Sequence, residues 1–277
     1  MTGATSSARR LDDAFIAAVN RRFSGRAVLV AQVDDPPEPR EVGPAPLSGP
    51  IAESRLRWLD RLAAEGRPNE PHAMLRATGD LTAHADYSVI DFATVCAIRE
   101  TGAWPPILSG GALAVCRARG RVLLQRRSRW VSTYPGCLDI VGGAFQPPVG
   151  GACGDADLRA TIAREFVEET GIAVDCGGAV PAVIAGQLRV GFTGYVQLGL
   201  DVAADDLDRA APTQEGALSA FDAEALAEAL SGPEEDWVPT ARLHVLAWLA
   251  LGARAVASGT DTGAVFPDQT VARLLAG

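Results

Sequence analysis

The sequence has no lysine. Its 25 Lys and Arg positions are all arginine, alongside 29 glycines and 18 prolines. That pattern reads as a high-G+C codon bias, and it excludes Schiff-base chemistry and a P-loop lysine. Cysteine is sparse: Cys96, Cys116, Cys137, Cys153 and Cys176 are odd in number and lack a C-x-x-C pair. Neither a disulfide framework nor a zinc site is indicated, and reduced, mostly buried thiols are expected. No apolar run reaches the length of a membrane span, and the opening MTGATSSARRLDDAF has no apolar signal core. A cytoplasmic protein with no membrane partner is expected. The three histidines, His72, His84 and His244, are isolated, and Ser128 and Ser132 lack a paired base, so nucleophilic catalysis is not supported.

What is present describes a folded, acidic chain. With 48% hydrophobic and 21% charged residues over 277 positions, it can bury a large core. A net charge of -9 opposes broad contact with nucleic acid or an anionic membrane. A short helix, LDDAFIAAVNRRF, precedes a strand in GRAVLVAQV. A Pro-rich connector then leads to a second helix in SRLRWLDRLAAEG. Residues 72–104 give no clear pattern. From about residue 108 the texture becomes strand, turn, strand in ALAVCRARGRVLLQRR, followed by the short run CLDIVGG. The spacing predicts a helix over about 157–170, strands in AVPAVIAGQL and GYVQLGLDV, a helix in FDAEALAEAL, and an apolar C-terminal helix. Strands on both sides of one helix, with no repeat, point to a mixed sheet between helices. The expected division is an α+β region at 1–107 and a domain at 108–277.

The densest charge lies in REFVEETGI, residues 164–172. On a helix, Leu158, Ile162 and Phe166 form an apolar stripe, and Glu165, Glu168 and Glu169 share another face. Three carboxylates near a helix C-terminus repel one another and meet the negative end of the macrodipole. Either the face is simply solvated, or hard divalent cations share its charge.

Arg164, Glu165, Phe166, Glu168, Glu169, Gly171 and Ile172 match R-E-[apolar]-x-E-E-x-G-[apolar] in full. Here the chain resembles the Nudix hydrolases, whose box reads G-x5-E-x7-R-E-U-x-E-E-x-G-U, with U apolar. The first half departs from it. The first glutamate position falls on Ala156, flanked by Asp155 and Asp157, and the usual glycine pair is closer to Gly142-Gly143, so FQPPVGG reads as a loop insertion. Asp155 or Asp157 is the available substitute for the missing glutamate.

The resemblance implies an α/β fold, a Nudix-type α/β/α sandwich with a mixed sheet. It also implies hydrolysis of a nucleoside diphosphate linked to another moiety, with Mg²⁺ as cofactor and Mn²⁺ as a substitute. By that resemblance Glu165, Glu168 and Glu169 bind the cation, with Glu165 the favoured general base. Gly143 offers a carbonyl, Arg164 orients a glutamate, and Glu215 in TQEGAL is a further ligand candidate.

Upstream, Arg127 and Arg129 suit phosphate, and Trp130 and Tyr134 suit either a base or the core. RRS-R-x-V, PG-x-LD-[apolar]-x-GG, ADYSVIDFAT and the long N-terminal region resemble the UDP-glucose pyrophosphatase branch. That branch implies a nucleotide-sugar substrate giving UMP and a sugar 1-phosphate. Residues 1–107 would then complete the pocket, with Asp86 and Tyr87 as contacts. ADP-ribose, coenzyme A and dinucleotides remain alternatives, as does a non-catalytic nucleotide sensor. The apolar face at Leu246, Trp248 and Leu251 serves either a homodimer or the core.

Overall fold

The structure is a computed structural model that describes residues 13–22, 28–33, 35–76, 83–131, 133–150, 153–176, 182–186 and 192–257. The chain begins with α1 (Asp13–Arg22), β1 (Val28–Val33), β2 (Glu38–Glu41) and α2 (Gly49–Ala64). The 72–104 stretch, illegible in the sequence, holds β3 (Pro71–Leu75), β4 (His84–Asp91) and α3 (Phe92–Glu100). Then follow β5 (Ile107–Cys116), β6 (Arg121–Arg127), β7 (Leu138–Asp139), β8 (Val141–Ala144) and α4 (Leu158–Thr170). The rest comprises β9 (Ala182–Gly186), β10 (Phe192–Asp201), α5 (Ala204–Arg209), β11 (Gly216–Phe221), α6 (Ala223–Ser231) and α7 (Pro239–Ala257).

β5 is the hub of the sheet. It runs parallel to β10 and antiparallel to β6 and β8, and it meets β3 at Met74↔Ile107. Through β3 the upstream strands β4 and β2 join the same sheet, and β1 joins it at the other edge through β9, giving the order β1-β9-β10-β5-β3-β4-β2. A strand with neighbours on both sides and helices over both faces is buried at all but one position, which accounts for β5 being apolar apart from Ser109.

Side chains alternate across the sheet. Val122 and Leu124 of β6 join the core under α6 and α7, with Leu226, Leu243 and Trp237, while Leu123 joins Leu158, Ile162 and Phe166 of α4 on the opposite face. α4 lies very close to β5: a Cβ on Gly110 would stand 2.9 Å from the Leu158 carbonyl oxygen. Among the described residues no helix is long and apolar enough to cross a membrane. The face at Leu246 and Trp248 packs into the core beneath α7; the side chain of Leu251 lies outside the described residues.

Candidate active site

The predicted helix over 157–170 is α4 almost to the residue. Asp157 starts it by accepting a hydrogen bond from the Ala160 amide at 2.8 Å, and Gly171 ends it at φ 73°. With Leu158, Ile162 and Phe166 committed to the core, the helix turns Arg164 and the glutamates toward β8.

Arg164 organises the carboxylates. Its Nε and Nη2 donate to the two oxygens of Asp155, each at 3.0 Å, and Nη2 also donates to the Ala144 carbonyl at 2.9 Å. Nη1 donates to Glu165 at 2.7 Å and to Glu168 at 2.9 Å. Asp155 is buried and also accepts from the Gln146 amide and the Thr161 hydroxyl, both at 2.9 Å.

This resolves the missing glutamate. Ala156 is exposed, and Asp157 is used as the helix cap. The loop insertion is pinned where it returns: Asp155 donates its amide to the Gln146 carbonyl at 2.8 Å, which brings its carboxylate under Arg164.

The glutamates differ in environment. Glu165 is 9% exposed, and burial pushes its carboxyl up to about 7, against the opposing pull of Arg164. Glu169, 3% exposed, is raised further by burial and by the nearby charges of Glu165 and Asp139, although its Oε2 accepts from the Gly142 amide at 3.1 Å. Glu168 lies at the exposed edge. Glu215, in the loop before β11, is exposed and adds repulsion at Glu165 and Glu169. Buried acids whose ionisation is opposed by burial and by one another call for a cation.

A cleft of about 1050 Å³ opens beside this group. Glu165, Glu168, Glu215 and Arg164 line one part of it, and Arg55, Asn69, Asp91 and Thr94 line another, with apolar walls from Leu47, Ile90 and Phe145. Arg55 is held by Asp91, and Asn69 donates to the same carboxylate at 3.1 Å.

The family model for the NUDIX domain matches residues 106–249. The chain belongs to the Nudix family. Solved structures of similar chains include a MutT protein from Methanosarcina mazei Go1, 29% identical over 44% of this chain and 80% of its own, with TM-score 0.33. A MutT NUDIX hydrolase from Burkholderia pseudomallei is 20% identical over 50% of this chain and 94% of its own, with TM-score 0.35. The NUDIX domain of Shewanella oneidensis NrtR, complexed with ADP ribose, is 16% identical over 55% of this chain and 88% of its own, with TM-score 0.31. No curated protein matches the chain. As a Nudix pyrophosphohydrolase, the protein hydrolyses a nucleoside diphosphate derivative.

Nudix hydrolases use divalent cations such as Mg²⁺. Among the described residues no three His, Cys, Asp or Glu side chains form a ready-made cage. Arg164 holds Glu165 and Glu168, and the Gly142 amide holds Glu169. The donor set nevertheless fits such an ion: hard carboxylate oxygens, partly buried, with Glu165 lying over the space that a side chain on Gly143 would fill. A Cβ there would stand 2.2 Å from Glu165 Oε1. Because that obstacle is the tip of a flexible side chain, Gly143→Ala is expected to keep the fold but weaken Mn²⁺ binding by about tenfold or more, measured by calorimetry. Unchanged affinity would remove Glu165 from the ligand set. Gly142 is a different case, since a Cβ there would meet the Gly110 carbonyl oxygen at 2.5 Å and force β5 and β8 apart.

The upstream candidates lie elsewhere. Arg127 donates to Asp139 at 3.1 Å and to the Thr133 carbonyl at 3.2 Å, so it builds the wall between β6 and β7. Arg129 is exposed on the following loop and does not line the cleft. Tyr87, expected at the substrate, is 4% exposed and packs edge-on against Phe145, because its position on β4 faces the core. Asp86 is taken by Arg40 at 2.8 Å. Trp130 is 94% exposed, whereas Tyr134 packs against the core. Asp139 escaped the sequence reading, although an acid inside the apolar run LDIV is itself a sign that a partner waits in the fold. Burial raises its carboxyl to about 6 despite Arg127.

Proposed function

We propose that the protein is a Mg²⁺-dependent hydrolase of nucleoside diphosphate sugars, with a UDP-sugar, yielding UMP and a sugar 1-phosphate, as the first candidate. In this reading Glu165, Glu168 and Glu169 hold the cation, with Glu215 and the Gly143 carbonyl as further donors. When bound, the cation neutralises diphosphate oxygens and lowers the pKa of an attacking water. Glu165, with a carboxyl near neutrality, takes the water's proton. Arg164, anchored on Asp155 and Ala144, keeps Glu165 and Glu168 in place.

The observation that carries the choice of a sugar is the charge balance of the cleft. Its two arginines, Arg55 and Arg164, are already paired with Asp91 and Asp155. No surplus positive charge remains among the lining residues, which also include Glu70 and Glu215. Such a surface suits hydroxyl groups, and it disfavours the extra phosphate of coenzyme A. The elements from β3 to α3 thereby supply the moiety's side of the pocket.

The test is a panel of UDP-sugars, ADP-ribose, coenzyme A and dinucleotides incubated with Mg²⁺ or with a chelator, with products resolved by mass. UMP and sugar 1-phosphate formed only with Mg²⁺ is the expected result. Turnover of ADP-ribose alone would keep the sugar and change the base, and turnover of coenzyme A alone would overturn the charge argument. Nucleotide binding without any turnover would point to a sensor.

A further inference from the structure

Gln125 is 1% exposed, and neither its amide nitrogen nor its amide oxygen has a partner. Two unsatisfied polar atoms on one buried side chain cost stability, and such a residue is poorly explained by packing alone. Its place in the sheet suggests what they serve.

On β6, Gln125 stands directly opposite Asp139 of β7 and Leu218 of β11. Directly opposed residues of antiparallel strands share a face. Leu123 and Arg127, two positions either side, lie on that same face, and Leu123 packs with Ile162 and Phe166 of α4. Arg127 is paired with Asp139, and Asp139 is close enough to Glu169 to oppose its ionisation. Gly216 leaves room on the β11 side, where an added Cβ would stand 3.1 Å from Gln125 Cγ. The unpartnered amide therefore lies on the face of the sheet that α4 covers, opposite Asp139 and away from solvent.

We propose that Gln125 is a positioning residue for the carboxylate site: its amide N–H donates to Glu169 when that carboxylate leaves the Gly142 amide to face a divalent cation. This rests on the assignment of Glu169 as a cation ligand. In the structure the Glu169 carboxylate is turned to the Gly142 amide, which leaves the Gln125 amide without an acceptor. A methionine of similar length would pack as well and would remove both orphaned atoms.

The experiment uses Gln125→Met in the full chain. Expected are a higher melting temperature without cation, Mn²⁺ binding about tenfold weaker by calorimetry, and kcat about tenfold lower with KM for the substrate unchanged. Mn²⁺ affinity equal to the wild type would overturn the proposal, whatever the melting temperature does. The wild-type chain gives a reading independent of how the variant folds. The side-chain amide proton of Gln125, followed by NMR, is expected to move downfield on saturation with Mg²⁺, and a stationary resonance would also overturn the proposal. Because Mn²⁺ affinity and the NMR shift need no substrate, they test Gln125 even if the sugar reading fails. Loss of Mn²⁺ binding in Gln125→Met but not in Glu169→Gln would instead show that the acceptor is not Glu169.

Discussion

Glu165→Gln is expected to lower kcat by about 10²–10⁴-fold, the range associated with loss of a positioned general base, while making the cation-free protein more stable at alkaline pH. Both effects have one origin. The Glu165 carboxyl titrates near 4.5 when exposed and is raised to about 7 in the fold by burial. The folded state therefore holds a proton that the unfolded state has lost. This contribution to stability is complete below about pH 4.5 and is lost as pH rises through about 7. Glu169, raised further, extends the decline to higher pH.

The uncharged glutamine has no such dependence. In chelator, wild-type melting temperature should fall between pH 5 and pH 8, and Glu165→Gln should fall less steeply over the same interval. Mg²⁺ added to the wild type at pH 8 should recover much of the loss, because a ligand that binds only the folded state stabilises it by mass action. Glu168→Gln and Glu169→Gln should likewise abolish turnover with the fold intact. Full activity in both would dismiss these residues as cation ligands. A pH-independent melting temperature would show that Glu165 ionises freely in the folded protein.

Asp155→Ala is expected to cost about 3–5 kcal/mol of stability, as removal of one partner from a buried ion pair commonly does, together with most of the activity. The substitution removes the acceptor of the Gln146 amide, the shorter of two hydrogen bonds made by the Thr161 hydroxyl, and two hydrogen bonds of Arg164. It also unpins the loop insertion from the start of α4. Asp157→Ala should be mild by comparison, at about 1 kcal/mol, the usual effect of losing a helix cap, with kcat near wild type. Urea midpoints and kcat for the two variants separate these roles. Equal losses would mean that Asp155 serves only to begin the helix.

Much of the site was legible along the chain because it is local. Six helical residues, 164–169, place one arginine and three glutamates within two turns, and the apolar stripe at Leu158, Ile162 and Phe166 determines which way they face. Asp155 was one of two candidates for the absent glutamate. Spacing could not separate it from Asp157, because the choice depends on where the inserted loop returns, and that is set by its hydrogen bonds to Gln146.

Residues far apart in sequence were harder to read. Tyr87 has the chemistry of a binding residue, but β4 turns it into the core, where Phe145 covers it. β11 went unread, as a six-residue strand whose partner, β6, lies some ninety positions upstream. β3 and β4 were obscured because their exposure follows from joining a sheet whose central strand comes later in the chain.

The sequence by itself determined the family and the charged helix, since these depend on residues within a few turns of one another. Only the tertiary structure decided that Asp155 anchors Arg164, that Asp91 neutralises Arg55 on one wall of the cleft, and that Gln125 is buried opposite Asp139. Those pairings come from strand register and loop closure, and both are settled by how a whole sheet packs rather than by any stretch of the chain that enters it.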